Sequence, residues 1–216
     1  MPERVFTSFC DELERTGRRR VLRQIGRPAF GKTPLLPGRI LVNGRELVNV
    51  SSNDYLGLSC HPELIARSAK WGERWGVGSG ASRLVSGNIE PFAQVEEKLA
   101  SGKGTETALV LVSGYQANVS ILPALLDSRV HGAVPLVFAD RLNHASLHAG
   151  CRAAGVHQIR YRHNDMSHLE ELLEAKASGA ENVPVFILSE TVFSMDGDRV
   201  DISTLACLAR RFNAFL

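Results

Sequence analysis

From residue 108 onward the chain repeats one pattern: a short apolar run, a stretch with helical periodicity, then the next apolar run. The apolar runs cover 108–112, 135–139 and 184–188, another opens at Ala214, and 156–161, with polar residues among apolar ones, reads as a further strand. Helical spacing fills 115–126, 145–154, 166–177 and 202–212; in the third of these Leu169, Leu172 and Leu173 share one face. Pro123 is expected to kink or shorten the first helix, and Asn213 is a stop signal for the last. Strands that are apolar on both faces and separated by helices predict an α/β fold, a mostly parallel sheet with helices on both faces. Such sheets bind ligands beyond the carboxyl ends of their strands, so chemistry is expected in the loops that follow the runs.

The first hundred residues read differently. Residues 1–30 are charged and loosely periodic, which predicts a helix with a basic end, and Arg18, Arg19, Arg20 and Arg23 read as a solvated helix face. Pro28, Pro34 and Pro37, with Gly31 and Gly38, then break the chain. Asn43-Gly44 sits between two apolar alternations over 39–50, a strong hairpin signal. Helices are predicted over 62–75, with Pro62 near the start, and over 91–100. The expected division is an N-terminal helix and hairpin segment over 1–50 and a larger unit over 51–216.

Composition removes several function classes. Of 216 residues 44% are hydrophobic and 22% charged, and a net charge of +2 makes no case for nucleic acid. The four cysteines form no C-x-x-C pair, so neither a zinc knuckle nor a redox pair is expected. With no apolar run behind Met1-Pro2 to act as a signal peptide, they fit a reducing cytoplasm. No stretch approaches the ~18 consecutive apolar residues of a membrane span.

Candidate chemistry lies in the loops. Ser113-Gly114-Tyr115-Gln116-Ala117-Asn118 opens the helix after the 108–112 run. A helix N-terminus offers free N–H groups to a phosphate, Gly114 allows close approach, and Tyr115 is placed to lie against a ring; the plain alternative is an ordinary strand-to-helix turn. The small residues from Gly76 to Arg83 suit a loop passing close to a ligand, or merely a flexible turn. Gly102-Lys103-Gly104-Thr105 is not a P-loop, because Glu97 stands where the first glycine belongs. Asn143-His144-Ala145-Ser146 follows the 135–139 run and Asp140. There His144 is placed to stack on a planar ring or move protons, or is a surface histidine in a cap. His148 lies one turn on without the glutamate of a zinc-protease helix, so no metal site is expected. The segment from Ser189 to Asp198 follows the 184–188 run, with Glu190 and Ser194 as polar groups and Asp196-Gly197 as a turn; its carboxylate spacing does not fit a calcium loop. Arg162-His163-Asn164-Asp165 reads as a cap for the next helix, through Asn164 or Asp165.

Each segment alone is compatible with a plain turn, but their order is specific. Asn53-Asp54-Tyr55-Leu56-Gly57-Leu58, His61-Pro62, the 76–83 glycine stretch, Ser113-Gly114-Tyr115 with Ala117-Asn118, the 139–146 segment through His144, His163-Asn164-Asp165 and Ser194-Met195-Asp196-Gly197-Asp198 follow one another over about residues 20–216. In that order they resemble the α-oxoamine synthases, pyridoxal-phosphate-dependent transferases of the aspartate-aminotransferase-like fold (fold type I). The resemblance implies condensation of an amino acid with an acyl thioester and loss of carbon dioxide. The nearest pattern is the biotin-pathway branch, which joins L-alanine to a pimeloyl thioester; glycine acyltransferases and 5-aminolevulinate synthases share much of it. It further implies that Gly114 and Tyr115 bind the cofactor, Tyr115 near its phosphate. His144 would be the catalytic residue that stacks on the pyridine ring and touches the substrate, and Ser194 would hydrogen-bond the phenolic oxygen. Asn53 would help hold the amino-acid carboxylate, Arg23 would be the substrate-binding arginine, and a homodimer acting on small molecules is implied.

Pyridoxal phosphate also needs a lysine and an acid on its pyridine nitrogen. The five lysines are Lys32, Lys70, Lys98, Lys103 and Lys176, and none follows an apolar run in a Ser/Thr-rich loop. In the family the acid and a histidine come as D-x-x-H on the next strand, with the lysine further on, whereas this sequence ends at Leu216 as such a strand opens. The expectation is therefore a truncated large domain, without the C-terminal domain and inactive alone. The alternative is a short non-catalytic homologue that keeps a binding or dimer surface.

Overall fold

The computed structural model describes residues 2–27, 38–179 and 182–216. The chain-breaking Pro28, Gly31, Pro34 and Pro37, and Lys32, lie outside them. The described residues group into two compact units, Met1–Glu90 and Pro91–Leu216.

In the first unit α1 spans Pro2–Arg15. It is shorter than the expected helix, because Gly17 adopts φ 66° and Arg18 N–H returns to Leu13 C=O. The basic cluster Arg18, Arg19, Arg20 and Arg23 thus follows the helix instead of forming its face. The hairpin is as predicted: β1 (Arg39–Val42) pairs antiparallel with β2 (Arg45–Val48), with Ile40 opposite Leu47. Asn43 and Gly44 both take positive φ, as a tight two-residue turn requires. Then comes α2 (Pro62–Trp75).

The second unit holds the parallel sheet. Its strands are β3 (Leu136–Asp140), β4 (Gln158–Tyr161), β5 (Val185–Leu188) and β6 (Ala214–Phe215), in the order β4-β3-β5-β6. All neighbours are parallel, with Phe138 between Ile159 and Ile187. Helices α3 (Glu90–Lys103), α4 (Gly114–Leu125), the single turn α5 (Ser128–His131), α6 (Ala145–Ala153), α7 (Met166–Lys176) and α8 (Ile202–Arg211) complete it. Alternate strand residues serve opposite faces. Val137 and Phe186 pack with Leu122 of α4 and Cys151 of α6. Phe138 and Ile187 pack with Leu169 and Leu173 of α7 and Leu205 and Leu208 of α8.

Pro123 lies inside α4, which ends two residues later. Asn213 stops α8 with φ 48°. The apolar run 108–112 is not a strand in this structure. Apolar character marks a segment that wants burial but supplies no ladder partner, and here Val110 N–H bonds the Glu96 side chain at 2.8 Å while Leu109 and Val112 stay exposed.

Candidate active site

From β3 the chain steps to β4 at one edge, then returns to the other side of β3 for β5 and β6. The strand order therefore reverses at β3 and β5, and the loops that leave their carboxyl ends diverge over a crevice. An open cavity of about 490 Å³ lies there, lined by Gly114, Tyr115, Asn118, His144, Ser189 and Glu190 among others. Three of the residues singled out from sequence, Gly114, Tyr115 and His144, thus meet in one place.

Each wall is built locally. Ser113 caps α4, its hydroxyl accepting Gln116 N–H at 3.1 Å. The first amides of a helix have no intrahelical acceptor, and those of Gly114 and Tyr115 have no bond to other described residues. On the opposite wall His144 caps α6, and its Nδ1 accepts Ser146 N–H at 3.2 Å. Ser146 Oγ lies 2.7 Å from the same nitrogen and receives Asn118 Nδ2–H at 2.9 Å. The Tyr115 ring stands edge-on to His144, centroids 6.2 Å apart. Two bonds tie the β3 loop to the β5 loop: Asn143 Nδ2–H donates to Leu188 C=O at 2.9 Å, and His144 N–H donates to the Glu190 carboxylate.

Beside the cavity runs a charged clamp. Asp140, fully buried at the end of β3, accepts Leu142 N–H at 2.8 Å, His163 Nδ1 at 2.9 Å and Asn164 N–H at 2.9 Å. The other ring nitrogen of His163 lies 2.8 Å from Asp198, and Phe193 stands edge-on to the imidazole at 4.4 Å. Asp198 belongs to a small hairpin closed by the Val192–Arg199 bridge, with Gly197 at φ 73° in its turn. Ser194 is exposed on this hairpin and does not line the cavity. Asp196 joins His163 and Asp198 in a group whose ligand-type atoms lie within 4.8 Å, but both His163 nitrogens already face carboxylates.

Burial opposes a charge on His163, but the hydrogen bonds to Asp140 and Asp198 outweigh it and raise its pKa above the ordinary value. A raised folded-state pKa stabilises the fold fully below the unfolded value near 6.5 and loses that contribution as pH climbs through the folded value. Neutral imidazole has a single N–H, so one carboxylate then loses its donor. The urea midpoint is expected to fall as pH rises from about 6.5 through this range, and a His163→Gln chain should lack that component. Equal pH slopes in both proteins would contradict the clamp.

Arg23 and Asn53 are exposed residues of the first unit. Sequence reasoning missed the supports: Asn118, Ser146 and the Asp140–His163–Asp198 clamp. The 163–165 segment was legible as a cap, and Asp165 does accept His168 N–H at 2.9 Å, but His163 points its chemistry elsewhere. Among the described lysines none lines the cavity. Lys176 ends α7, which runs back from the carboxyl end of β4, so it sits where the strands begin.

Similarity to known proteins is extensive. The family model for aminotransferase class I and II matches residues 45–216. An 8-amino-7-oxononanoate synthase of Gluconacetobacter diazotrophicus is 53% identical over 213 residues, 98% of this chain and 51% of that protein. Among solved structures, the Sphingomonas wittichii serine palmitoyltransferase superposes with a TM-score of 0.79 at 26% identity, over 97% of this chain and 49% of the other. The serine palmitoyltransferase of S. paucimobilis with a bound PLP–myriocin aldimine gives 0.79 at 24% identity, over 97% and 49%. The chain spans about half the length of the curated relatives it matches.

Proposed function

Because this chain belongs to the aminotransferase class I and II family, we propose that it carries the cofactor-binding part of a pyridoxal-phosphate-dependent α-oxoamine synthase. The observation that carries this reading is the convergence of Gly114, Tyr115 and His144 on one cavity at the strand-order reversal. The residues fit the group: free amides at the α4 N-terminus suit a phosphate, and the His144 imidazole suits the face of a planar ring. When bound, pyridoxal phosphate supplies an electron sink for charge developing on the amino-acid α-carbon.

The protein's own residues do the rest. Gly114 and Tyr115 hold the phosphate end, and His144 orients the ring and meets the substrate. Ser194, which the clamped hairpin carries outside the cavity lining, would be the family's donor to the phenolic oxygen. By the family resemblance Asn53 would help hold the amino-acid carboxylate and Arg23 would be the substrate-binding arginine. The resemblance to the biotin-pathway branch favours L-alanine and a pimeloyl thioester as substrates, and four cysteines without a C-x-x-C pair favour a reducing cytoplasm. Among the described residues no helix is long and apolar enough to cross a membrane. Tyr55, Leu56 and Leu84 are exposed by 80% or more, which supports pairing with a second copy. A second reading, a non-catalytic binding module, draws on the absence of any described lysine from the cavity lining.

The 216-residue chain, given pyridoxal phosphate, L-alanine and pimeloyl coenzyme A, is expected to release no carbon dioxide, and borohydride is expected to fix the cofactor to no single lysine. A longer protein containing this chain is expected to turn over. Stoichiometric labelling of one lysine in the short chain would overturn its inactivity, and a longer protein without turnover would overturn the enzyme reading in favour of the binding module.

A further inference from the structure

We propose that Ser146 and Asn118 are positioning residues that hold His144 as a neutral imidazole with its proton on Nε2, so that it meets a ligand in the cavity as a hydrogen-bond donor. The inference rests on the reading of the cavity as a cofactor site and says which tautomer of His144 serves it.

Helix capping decides the tautomer. His144 Nδ1 takes the Ser146 amide proton, so that nitrogen presents its lone pair to the helix end. A proton on Nδ1 would set N–H against N–H and leave the α6 amide without its cap. Ser146 Oγ reinforces the choice. It is fully buried, accepts from Asn118 Nδ2–H at 2.9 Å and lies 2.7 Å from Nδ1, so its own proton goes to that lone pair. If Nδ1 were the donor, the Ser146 hydroxyl proton would have no acceptor in a buried place. The chain of donors runs one way, from Asn118 to Ser146 to His144. Nε2 has no bond to other described residues, and His144 lines the cavity. Asn118 lines it too, so the support lies within one turn of the amides that suit the phosphate.

In the chain with 15N-labelled histidine, ring nitrogens with and without a proton resonate far apart. His144 is assigned by the signal that His144→Gln removes. Wild type is expected to show Nδ1 unprotonated and Nε2 protonated near neutral pH. A protonated Nδ1, or two averaged nitrogens, would overturn the proposal. Asn118→Asp replaces the donor with an acceptor, which draws the Ser146 proton away and leaves Oγ free to accept; the Nδ1 signal is expected to move toward the protonated position. A purely structural role for Asn118 would lower the unfolding midpoint and leave that signal where it was, which also overturns the proposal. Pyridoxine 5′-phosphate, which has no aldehyde to link to lysine, separates the two readings. An Nε2–H tautomer that the analogue does not shift sinks the cofactor site while the tautomer stands. Averaged nitrogens that the analogue does shift sink the tautomer while the cofactor site stands.

Discussion

Asp140→Ala is expected to destabilise the chain by about 3–5 kcal/mol, the range for removing one partner of a buried charged pair. The carboxylate is fully buried and holds three donors: two backbone N–H groups, from Leu142 and Asn164, and the His163 imidazole. Alanine leaves all three without an acceptor at the end of a central strand. The two amides alone represent a desolvation loss of about 1–3 kcal/mol each when buried and unpaired. The damage also spreads into two loops. Leu142 lies in the loop that delivers His144, and His163 holds Asp198 on the hairpin that carries Ser194. Urea unfolding reads the loss as a lower midpoint at unchanged slope. A shift under about 1 kcal/mol would mean that the three donors find other acceptors.

Gly150→Ala is expected to cost about 1–3 kcal/mol by overpacking and to weaken ligand binding as well. A β-carbon on Gly150 would lie 2.8 Å from the Asn118 carbonyl oxygen and 2.8 Å from Leu122 Cδ1. The first contact is backbone, so no rotamer relieves it, and α4 and α6 must part. Those helices carry the two walls of the cavity, Gly114 and Tyr115 on one and His144 at the head of the other. An alanine chain with unchanged unfolding midpoint and unchanged affinity for pyridoxine 5′-phosphate would show that the two helices are not so closely packed.

Local signals carried much of this architecture. The apolar runs at 135–139 and 184–188 had strand-like residues bounded by helical periodicity, and the structure places β3 and β5 there. Asn43-Gly44 named its own turn because both residues tolerate positive φ. The run at 108–112 misled because hydrophobicity reports a wish for burial and not the presence of a neighbouring strand. The site divided in the same way. Gly114, Tyr115 and His144 stand at helix starts, positions that local sequence marks, and they line one cavity. The clamp joins Asp140, His163 and Asp198 across 58 positions of sequence, and no periodicity marks such a meeting. Ser146 falls in the predicted helix 145–154, two residues after His144, and its value as a support depends on Asn118 arriving from another helix.

The cavity at the carboxyl ends of β3 and β5 is proposed to take pyridoxal phosphate. The most direct measurement titrates the 216-residue chain with pyridoxine 5′-phosphate and follows every backbone amide by NMR. Saturable binding of one equivalent is expected, with the largest shifts at Gly114, Tyr115 and the residues around His144, and at least about tenfold weaker binding by His144→Ala. Shifts that centre elsewhere, or no saturable binding by a folded chain, would contradict it.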